Sequence, residues 1–170
     1  MNRSLIFSFI FLIVSLLVQV IIFRQLVLFN TTYCFVYVTF ILLQPYDTRP
    51  VILMLMAFIL GIAVDVFYDS LGLHSMSLVC IAYLRKPWLN LIVISGGHEK
   101  KIDLQARTKD IFWFIVYAIP LIFIHHFILF FTEVGGFGLF WFTLLKATTS
   151  AVFTMTTVLI ISFLFIKKKR

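Results

Sequence analysis

A chain of 170 residues that is 62% hydrophobic and 12% charged carries about half the charge of a soluble domain. Its mean hydropathy of +1.10 excludes a fold that buries one core in water. A net charge of +7 would suggest nucleic acid in a soluble protein, but here the basic residues gather in particular connections, as the positive-inside rule describes. The expected class is therefore an all-α integral membrane protein, one polytopic domain over residues 1–170.

Taken in order, Met1-Asn-Arg-Ser4 leads into an apolar run, 5–23. It is too long for a signal peptide and has no small-residue cleavage site after it, so it predicts an uncleaved first span. A second, less hydrophobic span is expected over 26–43, interrupted by Asn30, Thr31 and Thr32; that polar start marks it as short, tilted or partly re-entrant. The stretch Gln44-Pro-Tyr-Asp-Thr-Arg-Pro50 is a loop, because its two prolines break helix on both sides. The third span covers 51–67, and the fourth 70–94 if the helix continues past Pro87. Residues 95–110 form the one long polar connection, mixed in sign and expected to be cytoplasmic. A fifth span covers 111–131 with a kink at Pro120, the Gly-rich turn 132–138 follows, and the sixth span covers 139–166 before Lys167-Lys-Lys-Arg170.

Six spans place both termini on one side. Arg3, Arg49, Arg85, Lys86, Lys100, Lys101, Arg107, Lys109 and the basic tail fall on that side, leaving only Arg24 and Lys146 elsewhere. The asymmetry predicts cytoplasmic termini.

The stretch Gly61-Ile-Ala-Val-Asp65-Val-Phe-Tyr-Asp69-Ser-Leu-Gly72-Leu-His74 is the candidate site. At helical pitch Gly61, Asp65 and Asp69 are four apart and Gly72 three further, so the four share one face. Carboxylates in hydrocarbon face a bundle interior, a water-filled cavity or a partner, and small residues let another backbone approach. Two readings stand: a solvated helix end in the headgroups, or a polar pocket or partner contact near the outer leaflet, lined by Gly61, Asp65, Asp69, Gly72 and His74.

Other polar residues have plainer readings. His125 and His126 are adjacent and point about 100° apart on a helix, so they do not ligate one metal from a regular helix. They read as hydrogen-bonded or interfacial histidines, or as a polar lining near the outer face. Lys146 is expected to snorkel to the outer interface, in preference to pairing with Glu133 or Asp69. Thr148, Thr149, Ser150, Thr154, Thr156 and Thr157 read as helix-packing residues with hydroxyls satisfied by backbone. Cys34 and Cys80 lack metal or disulfide spacing and read as free buried thiols. There is no phosphate loop, Rossmann glycine pattern, HExxH or serine elbow. The expectation is a non-enzyme with no catalytic residue, no cofactor and no metal.

A small chain of about six spans, with Gly61-x-x-x-Asp65, a short aromatic and polar link, and then Gly72-Leu-His74 opening the next helix, resembles the bacterial rod shape-determining MreD family. The specific residues occupy 61–83, and the hydropathy profile covers most of the chain. Gly61, Asp65, Gly72 and His74 fall on the family's marker, while Asp69 comes from helical spacing alone. The resemblance implies an inner-membrane subunit of the cell-elongation machinery that binds MreC, a single-span protein with a periplasmic domain. It also implies work alongside MreB filaments, RodA and a class B penicillin-binding protein in lateral peptidoglycan synthesis. A fold similar to the substrate-binding subunits of energy-coupling-factor vitamin transporters is implied as well, with a central pocket but no named ligand. The alternative function is therefore substrate capture for a membrane transporter. An intramembrane enzyme using Asp65 and Asp69 as acid and base is a third reading.

Overall fold

The computed structural model describes residues 3–95 and 111–165; the polar connection expected over 95–110 and the basic tail lie almost wholly outside the described residues. The molecule is mostly helical. Helix α1 (Arg3–Val18) passes into a π-helical turn over Gln19–Phe23. A short hairpin follows, β1 (Val27–Leu28) antiparallel to β2 (Thr32–Tyr33), with Val27 opposite Tyr33 and Leu28 opposite Thr32. After an irregular stretch comes the short helix α2 (Val38–Leu42), and then the long helices α3 (Pro50–Tyr68), α4 (Leu73–Ser95), α5 (Ile111–Glu133) and α6 (Phe140–Phe165). Four stretches, 6–23, 50–68, 111–133 and 140–161, are long and apolar enough to cross a membrane. Their outward residues, such as Ile10, Leu55, Ile59 and Val152, are apolar and exposed, as lipid requires.

Pro50 starts α3, where its missing N–H costs nothing. Pro87 and Pro120 both lie inside helices that continue past them, which neighbouring helices make tolerable in a membrane bundle. The helix expected from residue 70 therefore does continue past Pro87.

The second expected span is corrected. Residues 26–43 are a hairpin, an extended strip and five residues of helix, not one continuous helix. Its later part, 34–42, is the most buried stretch among the described residues: Cys34, Phe35, Val36, Tyr37, Val38, Phe40, Ile41 and Leu42 are all core residues. Non-helical backbone survives at membrane depth only inside protein, with its polar groups paired internally. The five long helical elements supply that enclosure, so the segment acts as the hub of the bundle.

The connections fall at two ends. At one, which we call the tip end, the hairpin lies beside the end of α5, with Tyr33 and Phe130 rings 5.8 Å apart, and Arg24 lies 5.9 Å from the ring of Tyr68 at the end of α3. At the opposite, base end, Ser8 meets Gln44 (3.1 Å) and Lys86 meets the Tyr46 carbonyl (3.2 Å).

Candidate functional site

The α3–α4 turn is built by the residues the sequence singled out, in roles that differ from residue to residue. Helix α3 ends at Tyr68, and Asp69 adopts a left-handed conformation (φ 54°) as its C-cap. The helical face predicted to carry Gly61, Asp65, Asp69 and Gly72 therefore stops at Asp65. Asp69 is exposed and outside the cluster, a correction whose cause is the sign of φ: once a residue turns left-handed, the 3.6-residue periodicity ends. Gly72 also has positive φ (85°), which glycine adopts without steric cost, and its carbonyl accepts from the Met76 N–H at 3.0 Å as α4 begins.

Asp65 is buried and saturated. Oδ1 accepts from Ser70 Oγ (2.7 Å) and the His74 N–H (2.9 Å); Oδ2 accepts from the Ser75 N–H (3.0 Å) and Ser75 Oγ (2.5 Å). Two of those donors are first-turn amides of α4, which have no partner within their own helix and sit at its positive end. A carboxylate on one helix thus caps the next. The contact requires the helices to touch, and Gly61 allows it: a Cβ there would fall on the Ser75 backbone. Neither the solvated helix end nor an open pocket describes Asp65, because its acceptor capacity is consumed by its own chain.

His74, the last residue of the marker, leads into the interior. Its Nδ1 lies 2.6 Å from Tyr37 Oη, which lies 2.9 Å from His125 Nε2. His125 is fully buried and its Nδ1 has no partner among the described residues. A bare ring lone pair is cheaper to bury than a bare N–H, so His125 carries its hydrogen on Nε2 and donates it to Tyr37, and Tyr37 donates to His74. His126 Nδ1 donates to the Ile122 carbonyl (2.8 Å), leaving Nε2 to accept from Thr154 Oγ1 (3.1 Å). The adjacent histidines are hydrogen-bonded and point to different partners, in line with the 100° argument. Among the described residues no group of three or more His, Cys, Asp or Glu is arranged to hold a metal.

The middle of this network is filled. The Phe35 ring lies 5.1 Å from His74, 6.0 Å from His125 and 5.3 Å from His126, between centroids. Its backbone is held just as closely. The Tyr33 N–H donates to Ser150 Oγ (2.9 Å) and the Phe35 N–H to Thr154 Oγ1 (3.0 Å). Gln19, buried in the π-helical turn, donates to the Cys34 carbonyl (3.0 Å) and Tyr68 Oη (2.7 Å) and accepts from the Tyr37 N–H (3.4 Å). At the base end, Arg85, only 1% exposed, donates through Nε to Tyr117 Oη (2.8 Å) and through Nη2 to the Gln44 carbonyl. Tyr117 donates in turn to the Leu42 carbonyl (2.9 Å). Together they satisfy carbonyls left open where the inserted segment ends.

Sequence reasoning missed Gln19, Tyr37, Tyr117 and the inward role of Arg85. Gln19 had a readable signal, as a lone amide in an apolar run. Tyr37 had none, since a tyrosine in a span reads equally well as interfacial. Thr149, Thr156 and Thr157 do bond to backbone carbonyls of their own helix (2.9–3.0 Å), as expected, while Ser150 and Thr154 serve the inserted segment instead. Lys146 pairs with Glu133 (2.8 Å), whose side chain is 47% exposed, and lies over the Phe130 ring (4.2 Å), so its amine does reach toward the surface and there meets one of the two carboxylates named as partners inside the bundle. Cys34 and Cys80 are free thiols. In comparisons with known proteins, no family model, curated protein or solved structure matches this chain.

Proposed function

We propose that this chain is a non-enzymatic subunit of the bacterial cell-elongation machinery, of the MreD kind. In this reading it sits in the inner membrane, binds MreC, and works with RodA, a class B penicillin-binding protein and MreB to control cell shape and lateral peptidoglycan synthesis. The chain would cross the membrane six times: the four long apolar stretches, α4, and the inserted segment as a non-helical crossing. The base end, with Arg49 and Lys86, would face the cytoplasm together with both termini. The likeness of the fold to energy-coupling-factor substrate-binding subunits belongs to the same proposal.

The observation that carries the reading is the α3–α4 turn. Gly61, Asp65, Gly72 and His74 are the residues on which the resemblance rests, and each has a separate task in that one turn. Four residues that act together in one turn support reading the stretch as a unit. Because Asp65 is fully engaged, its task is to set how α3 and α4 cross, and so the shape that a partner helix meets. Small residues and shape matching drive such contacts in lipid.

The rival reading is capture of a small vitamin-like molecule, and it needs room among the polar residues. That room holds Phe35. The test is gentle detergent purification of the tagged protein from its native membrane, with mass spectrometry of what accompanies it. MreC-like and wall-synthesis proteins are the expected companions. Recovery of ATPase subunits with a bound small molecule would instead establish the rival.

A further inference from the structure

Three connections meet the surface at the tip end, and each pushes an apolar residue outward. In the β1–β2 hairpin it is Phe29, 92% exposed. In the α3–α4 turn it is Leu71, wholly exposed, and in the α5–α6 connection it is Phe137, 67% exposed. Phe29 and Asn30 both have positive φ (53° and 55°), and the Thr31 N–H closes on the Leu28 carbonyl at 3.2 Å. A left-handed bulky residue costs about 1 kcal/mol or more, a cost that the tight hairpin turn imposes on Phe29. Leu71 stands between left-handed Asp69 and Gly72, and Phe137 follows Gly135 and Gly136, which also have positive φ.

Charge at this end is sparse. Among the described residues the exposed ionisable groups here are Arg24, Asp69 and Glu133. Arg24 lies near the Tyr68 ring and Glu133 is paired with Lys146. In connections bathed in water such positions are polar. Three separate connections with the same exposed chemistry have a common surrounding as their cause.

Length identifies that surrounding. The 19 residues of α3 rise about 28 Å at roughly 1.5 Å per residue, against about 30 Å of hydrocarbon and about 40–45 Å with the headgroups. At the base end, Arg49 and Pro50 are exposed at the start of α3, beside a loop whose Tyr46 ring lies 3.6 Å from the Lys86 ammonium. Such aromatic and basic residues hold a helix end at an interface. With the base so anchored, a helix of that length ends near the far hydrocarbon boundary, and Leu71, three residues on, falls within the thickness of the headgroup layer.

We propose that the tip end is submerged in the headgroup layer, with Phe29, Leu71 and Phe137 as three membrane-binding fingertips. The surface they make is a lipid-binding surface. This holds in either orientation of the chain and does not depend on the partner proposed above. It also means that anything approaching the Asp65 cap must come through lipid.

The test uses the full chain carrying Cys80→Ser, with Cys34 left buried, and a nitroxide placed in turn on Phe29→Cys, Leu71→Cys and Phe137→Cys. Ile59→Cys, exposed in the middle of α3, serves as the hydrocarbon reference. A free water-soluble nitroxide in the same buffer serves as the water reference. In vesicles of phosphatidylethanolamine and phosphatidylglycerol, collision rates with oxygen and with a water-soluble nickel chelate are compared by electron paramagnetic resonance. The expected ratio of oxygen to nickel at all three tips falls between the two references. A ratio at any tip equal to that of the free nitroxide would place it in water and overturn the proposal. Low collision with both reagents would mean a protein contact, a second copy included, and would overturn it equally.

Discussion

Asp65 and Asp69 are alike in the sequence and opposite in the structure, which gives the sharpest single-residue contrast. Removing the Asp65 carboxylate takes the acceptor from two buried amides, His74 and Ser75, and from Ser70 Oγ, while Ser75 Oγ keeps the Gly72 carbonyl at 3.2 Å. Asp65→Ala is expected to cost about 2–4 kcal/mol, read as a lower unfolding midpoint in detergent. Asp69→Asn should stay within about 0.5 kcal/mol of the parent, because asparagine accepts the left-handed conformation and the site is exposed. Equal losses at both positions would contradict the capping role. Gly61→Ala tests the same turn from the other side: a methyl group has no room against the Ser75 backbone, so a loss of about 3 kcal/mol or insertion failure is expected. Gly61 and Asp65 were legible from helical spacing; the same spacing carried Gly72 past a helix that ends at Tyr68, and His74 was singled out beside that face and not by its period. The false inclusion of Asp69 has a definite cause, since periodicity gives no sign of where a helix turns left-handed.

At the scale of elements, the long helices followed from apolar runs bounded by proline, glycine and charge. The inserted segment did not. Hydropathy measures transfer into an apolar setting, and residues 34–42 are as apolar in an irregular strip as in a helix. What separates the two is where the backbone N–H and C=O groups find partners, and those partners are distant in sequence: Gln19, Ser150, Thr154, Arg85 and Tyr117. Only the weak start at Asn30 to Thr32 hinted at it. Thr154→Val tests the dependence directly. It removes the acceptor of the Phe35 N–H and the donor to His126 while keeping the side-chain volume. A cost of about 1–3 kcal/mol is expected. Hydrogen exchange should accelerate at Tyr33 to Tyr37 while the middle of α3 stays protected. Uniform acceleration across the molecule would mean that the segment has no separate stability.

For the whole molecule, the decisive feature is that the centre of the bundle is occupied by its own chain. A capture protein keeps a cavity and releases free energy when a ligand fills it. Here Phe35 packs against Tyr37, Tyr68, Phe130, His74, His125 and His126 and already supplies that energy from within. Phe35→Ala is therefore expected to lose about 3–5 kcal/mol and to leave an apolar hole, the kind of cavity that stays dry and accepts benzene. Unfolding midpoints of parent and variant in detergent, with and without saturating benzene, separate the alternatives. If the centre is filled, benzene raises the midpoint of Phe35→Ala toward that of the parent and leaves the parent unchanged. A parent protein stabilised as strongly as the variant would show that the room was open from the start, and would shift the balance from a scaffold toward a capture subunit.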